Sequence, residues 1–272
     1  MNNSKQFDGL WGVILGGSSG FGYGAMEKLA CHGMNIVLLY RETMGAEKIL
    51  KEKISLIRER TGVEILLCNK NALDAKGRYA FLKEFKDVAG TGKKIRLLLH
   101  SIARGNLKSL VAGEFSAEES YTQLSVEDIQ LTTYAMSNSL LDWARMLLTE
   151  GLFCQDARVI GLTSEGAHKY WESYAAVSIA KASLESLATY MAVELAKYGL
   201  KTNLVQAGIT ETPSMKKIAS SNKLLQIAKN RNPMGRITTP EDVANVVYLL
   251  CTDEASWING AVIHVDGGEH CC

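Results

Sequence analysis

The sequence predicts one α/β domain: a doubly wound parallel sheet of about seven strands with helices on both faces. Three observations carry this. Short runs that are apolar throughout recur along all 272 residues, longer segments of helical periodicity separate them, and the first run ends in the turn Gly16-Gly17-Ser18-Ser19-Gly20-Phe21-Gly22. A strand that is apolar on both sides must be covered on both sides, and alternating helices supply that cover.

The elements follow in order. WGVILG from Trp11 reads as the first strand, with a helix from about Gly22 to His32. NIVLLY from Asn35 is the second strand, and AEKILKEKISLIRER carries a helical face after it. EILLC from Glu64, a helix around Phe81 and IRLLLH from Ile95 continue the alternation. A long helical segment covers roughly Val126 to Glu150, and RVIGLT from Arg158 is the fifth strand. A helix carrying Tyr174 leads to KTNLVQAG from Lys201; PEDVANVVYLLC, with Pro240 at its start, leads to the last strand, AVIHVDGG from Ala261. No Pro/Ser/Gly linker divides the chain, so a single domain spanning 1–272 is expected.

Composition excludes several classes. Lys plus Arg number 30 against 29 Asp plus Glu, a net charge of +1, and no basic run forms a nucleic-acid footprint. The six cysteines show no CxxC spacing, which argues against a metal site and for free thiols in a reducing compartment. The start MNNSKQFDG has no apolar core of a leader, and no apolar stretch approaches a membrane span. A cytoplasmic protein is expected.

Tyr174 and Lys181 stand seven positions apart in YAAVSIAKASLESLATYMAVELAKYG. Seven steps are two helical turns, so the phenol and the ammonium share a face. An ammonium beside a phenol is expected to lower its pKa and make it a better proton donor. The turn Gly16 to Gly22 runs from a strand into a helix; its glycines let the backbone approach a pyrophosphate at the positive helix end.

The Gly16 turn, the Tyr174/Lys181 pair and the stretch NPMGRITTPEDVANVVYLLCTDEASWINGAVIHVDGG together resemble the short-chain dehydrogenase/reductase family, over essentially the whole chain, and imply its Rossmann-like fold. Two features narrow the resemblance. Most members place the lysine four residues after the tyrosine, and most carry Asn-Asn-Ala-Gly where this chain has His100-Ser101-Ile102-Ala103. Both features are similar to the bacterial enoyl-acyl-carrier-protein reductases. The longer interval has a physical rationale: enoyl reduction places charge on a thioester oxygen two carbons from the hydride acceptor, and three helical residues move the tyrosine root by about 4.5 Å.

The resemblance implies reduction of an enoyl thioester, on acyl carrier protein or coenzyme A, with Tyr174 as donor and Lys181 on the nicotinamide ribose. It implies cofactor contacts from Gly16, Ser18, Ser19, Gly20, Phe21 and Gly22, with Asn71 and Ala72 flanking the adenine. Ser101, Ile102 and Ala103 would line the nicotinamide ribose, and Gly208, Thr210 and Thr212 the carboxamide and pyrophosphate. Arg41 after the second strand favours NADPH, since a guanidinium accommodates a 2′-phosphate; NADH, with Arg41 a solvated loop residue, is the alternative.

The chain departs from the pattern in places. Ser164 stands where many enoyl reductases have a second tyrosine, and either bonds the substrate carbonyl or caps the strand end. Tyr170 either replaces the missing phenol or packs as an aromatic. Thr132 replaces the central-helix Asn of carbonyl reductases, and His100, His168 and His264 read as structural. Residues 213–236, polar at first and amphipathic at the end, suit a lid over an acyl chain. A carbonyl reductase and a non-catalytic NADP(H) sensor remain alternatives. Leu184, Leu187, Met191 and Leu195 form a stripe, with Tyr190, Val193 and Ala196 apolar beside it, and the last strand is expected at a sheet edge. A homotetramer is expected, as in the resembled family; burial of the stripe within one chain is the alternative.

Overall fold

The computed structural model describes residues 6–89, 94–111, 123–217 and 221–272. The apolar runs become β1 (Leu10–Leu15), β2 (Asn35–Tyr40), β3 (Ile65–Asn69), β4 (Lys94–His100), β5 (Phe153–Ser164), β6 (Leu200–Ala207) and β7 (Val262–Val265). All pair in parallel, in the order β3-β2-β1-β4-β5-β6-β7. The direction of winding reverses between β1 and β4, and a crevice opens outside their carboxyl ends.

Helices cover both faces. On one side α1 (Gly20–Cys31), α2 (Met44–Thr61) and α8 (Pro240–Cys251) pack Met26, Leu29, Ile54 and Val247 onto Ile14, Leu38 and Leu99. On the other, α3 (Ala75–Ala89), α5 (Ser139–Thr149) and α6 (Ala175–Glu194) pack Phe81, Trp143 and Leu184 onto Trp11, Val13 and Leu98. Alternate residues of β1 serve opposite clusters, which is why its whole run is apolar. The buried guanidinium of Arg158 closes the opposite end of the sheet: its Nε donates to Leu250 O at 2.7 Å and its Nη2 to Asp156 at 3.0 Å.

Several boundaries differ from expectation. The segment predicted as one helix from Val126 to Glu150 is α4 (Val126–Thr133), a π-helical turn (Tyr134–Asn138) and α5. Periodicity cannot reveal a one-residue slip of the helical hydrogen bonds, and here it lets Ser139 Oγ reach His100 Nε2 at 2.8 Å. β5 begins five residues before Arg158, because Phe153 also pairs with Ile95. α7 (Ser221–Arg231) forms the amphipathic end of the expected lid; residues 218–220 of its start lie outside the described residues.

β7 is an edge strand, as expected. The α6 stripe is largely intramolecular: Leu184 and Met191 are buried in the sheet-facing core, with Leu187 and Leu195 packed against it. Tyr190 and Val193 are 66% and 75% exposed, leaving an apolar surface beside that stripe. No helix of the described residues is long and apolar enough to cross a membrane.

Candidate active site

The carboxyl ends of β1, β2, β4, β5 and β6 surround a cleft of about 580 Å³. Its floor is the turn after β1. Gly16 has φ +83°, and a Cβ there would lie 2.5 Å from Ser101 O; a Cβ on Gly22 would lie 2.4 Å from Gly16 O. Only glycine lets these backbones meet. The turn feeds α1, whose N-cap Ser19 makes no side-chain cap and whose first turn has no acidic residue. The positive end of α1 therefore faces the cleft with free donors, a fit for the pyrophosphate of a dinucleotide.

Nearly all the residues expected at the cofactor line this one cleft. Gly16, Ser18, Ser19, Gly20 and Phe21 come from the turn, Arg41 from the end of β2, and Asn71 and Ala72 from the end of β3. Ser101, Ile102 and Ala103 follow β4, and Gly208, Thr210 and Thr212 follow β6. Gly22 is not a lining residue; it packs beneath the turn against Gly16. At the outer end, Ser18 Oγ donates to Glu42 Oε1 at 2.8 Å, while exposed Arg41 has no ion pair with the described residues.

Tyr174, Lys181 and Ser164 meet in the same cleft. Tyr174 is the N-cap of α6 rather than a residue within it, and its carbonyl accepts the Ser178 N–H at 2.8 Å. Two turns on, Lys181 is 6% exposed and donates from Nζ to Leu162 O at 2.7 Å. Burial lowers the Lys181 pKa to about 8, partly opposed by the charge of Glu185. The expectation that Lys181 lowers the phenol pKa is not met: burial raises it, and a hydrogen bond with Ser164 opposes the rise. Ser164 Oγ accepts the Gly166 N–H at 3.2 Å and so caps the strand end.

Tyr170 does not belong to the site. It is 89% exposed and absent from the cleft lining, so it neither replaces a phenol nor packs. Its neighbour Trp171 does line the cleft, with its ring 5.0 Å from that of Tyr174, and joins Ile209, Met215 and Ala228 in an apolar cluster with α7. The sequence reading missed Trp171; its place immediately beside the tyrosine-bearing turn was the available signal. It also missed Arg231 of α7, which bonds Glu165 Oε2 at 2.7 Å and Glu269 Oε1 at 2.9 Å. Thr132 Oγ1 accepts the Asn106 N–H at 3.1 Å and so holds a loop. His100 is buried, with its pKa lowered to about 3 by burial and by Lys181, a neutral structural group as expected. His264 stacks on His270 at 3.9 Å.

A doubly wound sheet, a glycine-rich first turn and a buried tyrosine–lysine pair in one cleft define a dinucleotide-dependent oxidoreductase of the short-chain type. The family model described as "Enoyl-(Acyl carrier protein) reductase" matches residues 16–270, and the chain belongs to that family. It is 30% identical over 213 residues to the enoyl-[acyl-carrier-protein] reductase [NADH] of Bacillus subtilis (strain 168), covering 78% of this chain and 77% of that protein. It is 26% identical over 260 residues to the enoyl-[acyl-carrier-protein] reductase [NADPH] of Staphylococcus aureus (strain MRSA252), covering 95% of each. The crystal structure of the enoyl-[acyl-carrier-protein] reductase (NADH) from Aquifex aeolicus VF5 superposes with a TM-score of 0.81 at 25% identity, over 98% of both chains.

The Tyr174 ring rests directly on Gly166, where an added Cβ would lie 2.6 Å from a ring carbon. Gly166→Ala should therefore shift the ring by about 1 Å and lower kcat about 10²-fold. The altered environment of Trp171 should appear as a change in tryptophan emission with the unfolding midpoint nearly unchanged. Full activity would show that the ring position is not critical.

Proposed function

We propose that this protein reduces the 2,3 double bond of an enoyl thioester carried on acyl carrier protein or coenzyme A, using NADPH. The observation that carries this reading is the convergence of Tyr174, Lys181 and Ser164 in the cleft that also holds the glycine turn. The bound reduced dinucleotide would supply the hydride. Tyr174 donates a hydrogen bond to the thioester oxygen and stabilises the enolate charge that develops there. Ser164 lines the cleft with the phenol, and Lys181, anchored on Leu162, presents its ammonium to the cofactor ribose. Residues 213–236 act as the lid: Met215 and α7 gather with Trp171 over the cleft and exclude water from the acyl chain.

Tyr174→Phe should reduce kcat with crotonyl thioester by about 10²-fold or more while dinucleotide affinity stays nearly constant. Wild-type protein should turn over crotonyl and not acetoacetyl thioester, followed by NADPH absorbance. Preference for the acetoacetyl substrate would make it a carbonyl reductase, and no turnover of either would favour a dinucleotide sensor.

The choice of NADPH rests on Arg41, which lines the cleft beside the end of β2, is exposed and has no ion pair with the described residues. Arg41→Ala should raise KM for NADPH several-fold and leave NADH use nearly unaltered, because only the former offers a phosphate for charge-assisted bonds. Equal losses with both cofactors would assign Arg41 a structural role. A wild-type preference for NADH would overturn the assignment.

We also propose a homotetramer. Exposed Tyr190 and Val193 on α6, with Val262 on the open edge strand β7 and Trp257 nearby in sequence at 97% exposure, offer apolar surface that assembly would cover. Light scattering should give about four times the 29.7 kDa of one chain, and a mass near 29.7 kDa would reject assembly.

A further inference from the structure

α7 packs against the cleft through Leu224, Leu225 and Ala228, which gather with Trp171 and Met215. Its polar tie is Arg231, the last residue of the helix. Arg231 Nη2 bridges two carboxylates, Glu165 Oε2 at 2.7 Å and Glu269 Oε1 at 2.9 Å. One nitrogen carries two hydrogens, so each carboxylate receives one bond. The three side chains come from separated segments: the turn after β5, α7, and the stretch after β7. All three residues line the cleft. The Glu269 side chain is 2% exposed, and a carboxylate so buried needs the guanidinium to compensate it.

Each carboxylate belongs to a different wall of the cleft. Glu165 opens the 3-10 turn Glu165–Ala167, and its carbonyl accepts the His168 and Lys169 N–H groups at 3.0 and 3.1 Å. The next residue, Gly166, is the seat of the Tyr174 ring, where an added Cβ would lie 2.6 Å from a ring carbon. The far end of this turn is tied to α6 by His168, whose Nε2 lies 2.6 Å from Glu185 Oε2. Its near end is tied to α7 by Arg231. Glu269 braces the other wall: its Oε2 accepts the Ile209 N–H at 3.3 Å, between Gly208 and Thr210 of the segment expected at the dinucleotide. A Cβ on Gly208 would lie 2.8 Å from that same oxygen, so the carboxylate packs closely on the backbone there.

We propose that Arg231 is a positioning residue that couples closure of the lid to the seating of Tyr174. With α7 in place, Arg231 fixes the Glu165 turn, and Gly166 of that turn holds the ring where the thioester oxygen will need it. With α7 displaced, the turn keeps only its local bonds and its tie to α6. The donor is therefore firmly set when the acyl chain is covered and water is excluded. Arg231 touches no reacting atom and acts through the turn. The inference rests on Tyr174 being the donor and residues 213–236 the lid, as proposed above.

Kinetics and hydrogen exchange test this separately. Glu165→Gln and Arg231→Gln should each lower kcat for crotonyl thioester about 10-fold, less than the ring displacement by Gly166→Ala, and leave the dinucleotide KM little changed. Glu165→Gln keeps the Arg231–Glu269 pair, so buried Glu269 stays compensated even if Arg231→Gln fails to fold. Arg231→Lys, which keeps the charge but not the fork, should stay within about 3-fold of wild type. Lys169→Gln, which removes the exposed partner of Glu165 Oε1, should leave kcat unchanged. In the protein without dinucleotide, Glu165→Gln should speed amide exchange roughly 10-fold in its own turn, read at His168 and Lys169, and also in α7, read from Ala228 to Arg231. Arg231→Gln should speed exchange in the same two segments. If wild-type protein reduces crotonyl thioester and Tyr174→Phe is inactive, yet Glu165→Gln and Arg231→Gln keep full kcat, the coupling is wrong and the donor assignment stands. A loss in Lys169→Gln as large as in Glu165→Gln, or faster exchange confined to the substituted segment, would equally overturn it. If wild-type protein fails on the enoyl substrate, the donor reading fails, and the exchange measurement alone decides the coupling.

Discussion

The constraint on which this site depends is a lysine ammonium carried on a helix and buried under the carboxyl edge of the sheet. Burying such a charge is costly unless it is hydrogen-bonded. The Leu162 carbonyl meets that need at 2.7 Å, and the burial still lowers the Lys181 pKa to about 8. Much of the local architecture follows. β5 extends to Ser164, which puts Leu162, Thr163 and Ser164 against α6 and its start. His100, on the neighbouring strand, stays neutral because a second buried cation beside Lys181 would have no compensating charge. Glu185, one helical turn further along α6, pairs instead with exposed His168 at 2.6 Å.

The sheet and the cofactor cleft were legible in the sequence because their causes are local. β1, β2 and β4 are short runs buried along nearly their whole length, and that two-sided burial makes them apolar enough to identify. Gly16 and Gly22 were legible for a stricter reason: at both positions a Cβ would collide with backbone, so no other residue fits. The tyrosine–lysine interval was readable because helical geometry converts seven positions into one face.

What the sequence did not reveal depends on contacts between distant segments. Tyr170 and Trp171 are adjacent aromatics, and nothing local decides which turns inward; the cluster formed with α7 selects Trp171. The phenol pKa was misjudged because sequence proximity of a cation is visible, whereas the burial of Tyr174 is a property of the assembled cleft. Arg231 joins Glu165 and Glu269 across 66 and 38 positions, a separation at which no pattern in the chain signals pairing. The π-helical turn is likewise set by packing, since it lets Ser139 satisfy buried His100.

The adenosine end shows how far residue type alone can carry a specificity argument. Arg41 and Glu42 are neighbours, and considered singly they point to opposite cofactors. Their environments differ: the Glu42 carboxylate accepts from Ser18 and its backbone N–H is held by Asn69 Oδ1 at 3.1 Å, which fixes it against the turn. Arg41 is exposed and has no ion pair with the described residues, so its charge is available. A carboxylate already engaged by a hydroxyl has less capacity left for a ribose diol, while a free guanidinium keeps its full fork of donors for a phosphate. At this end of the cleft a carboxylate fixed by Ser18 therefore stands next to an exposed guanidinium, and the two differ in how much of their hydrogen-bonding capacity remains open.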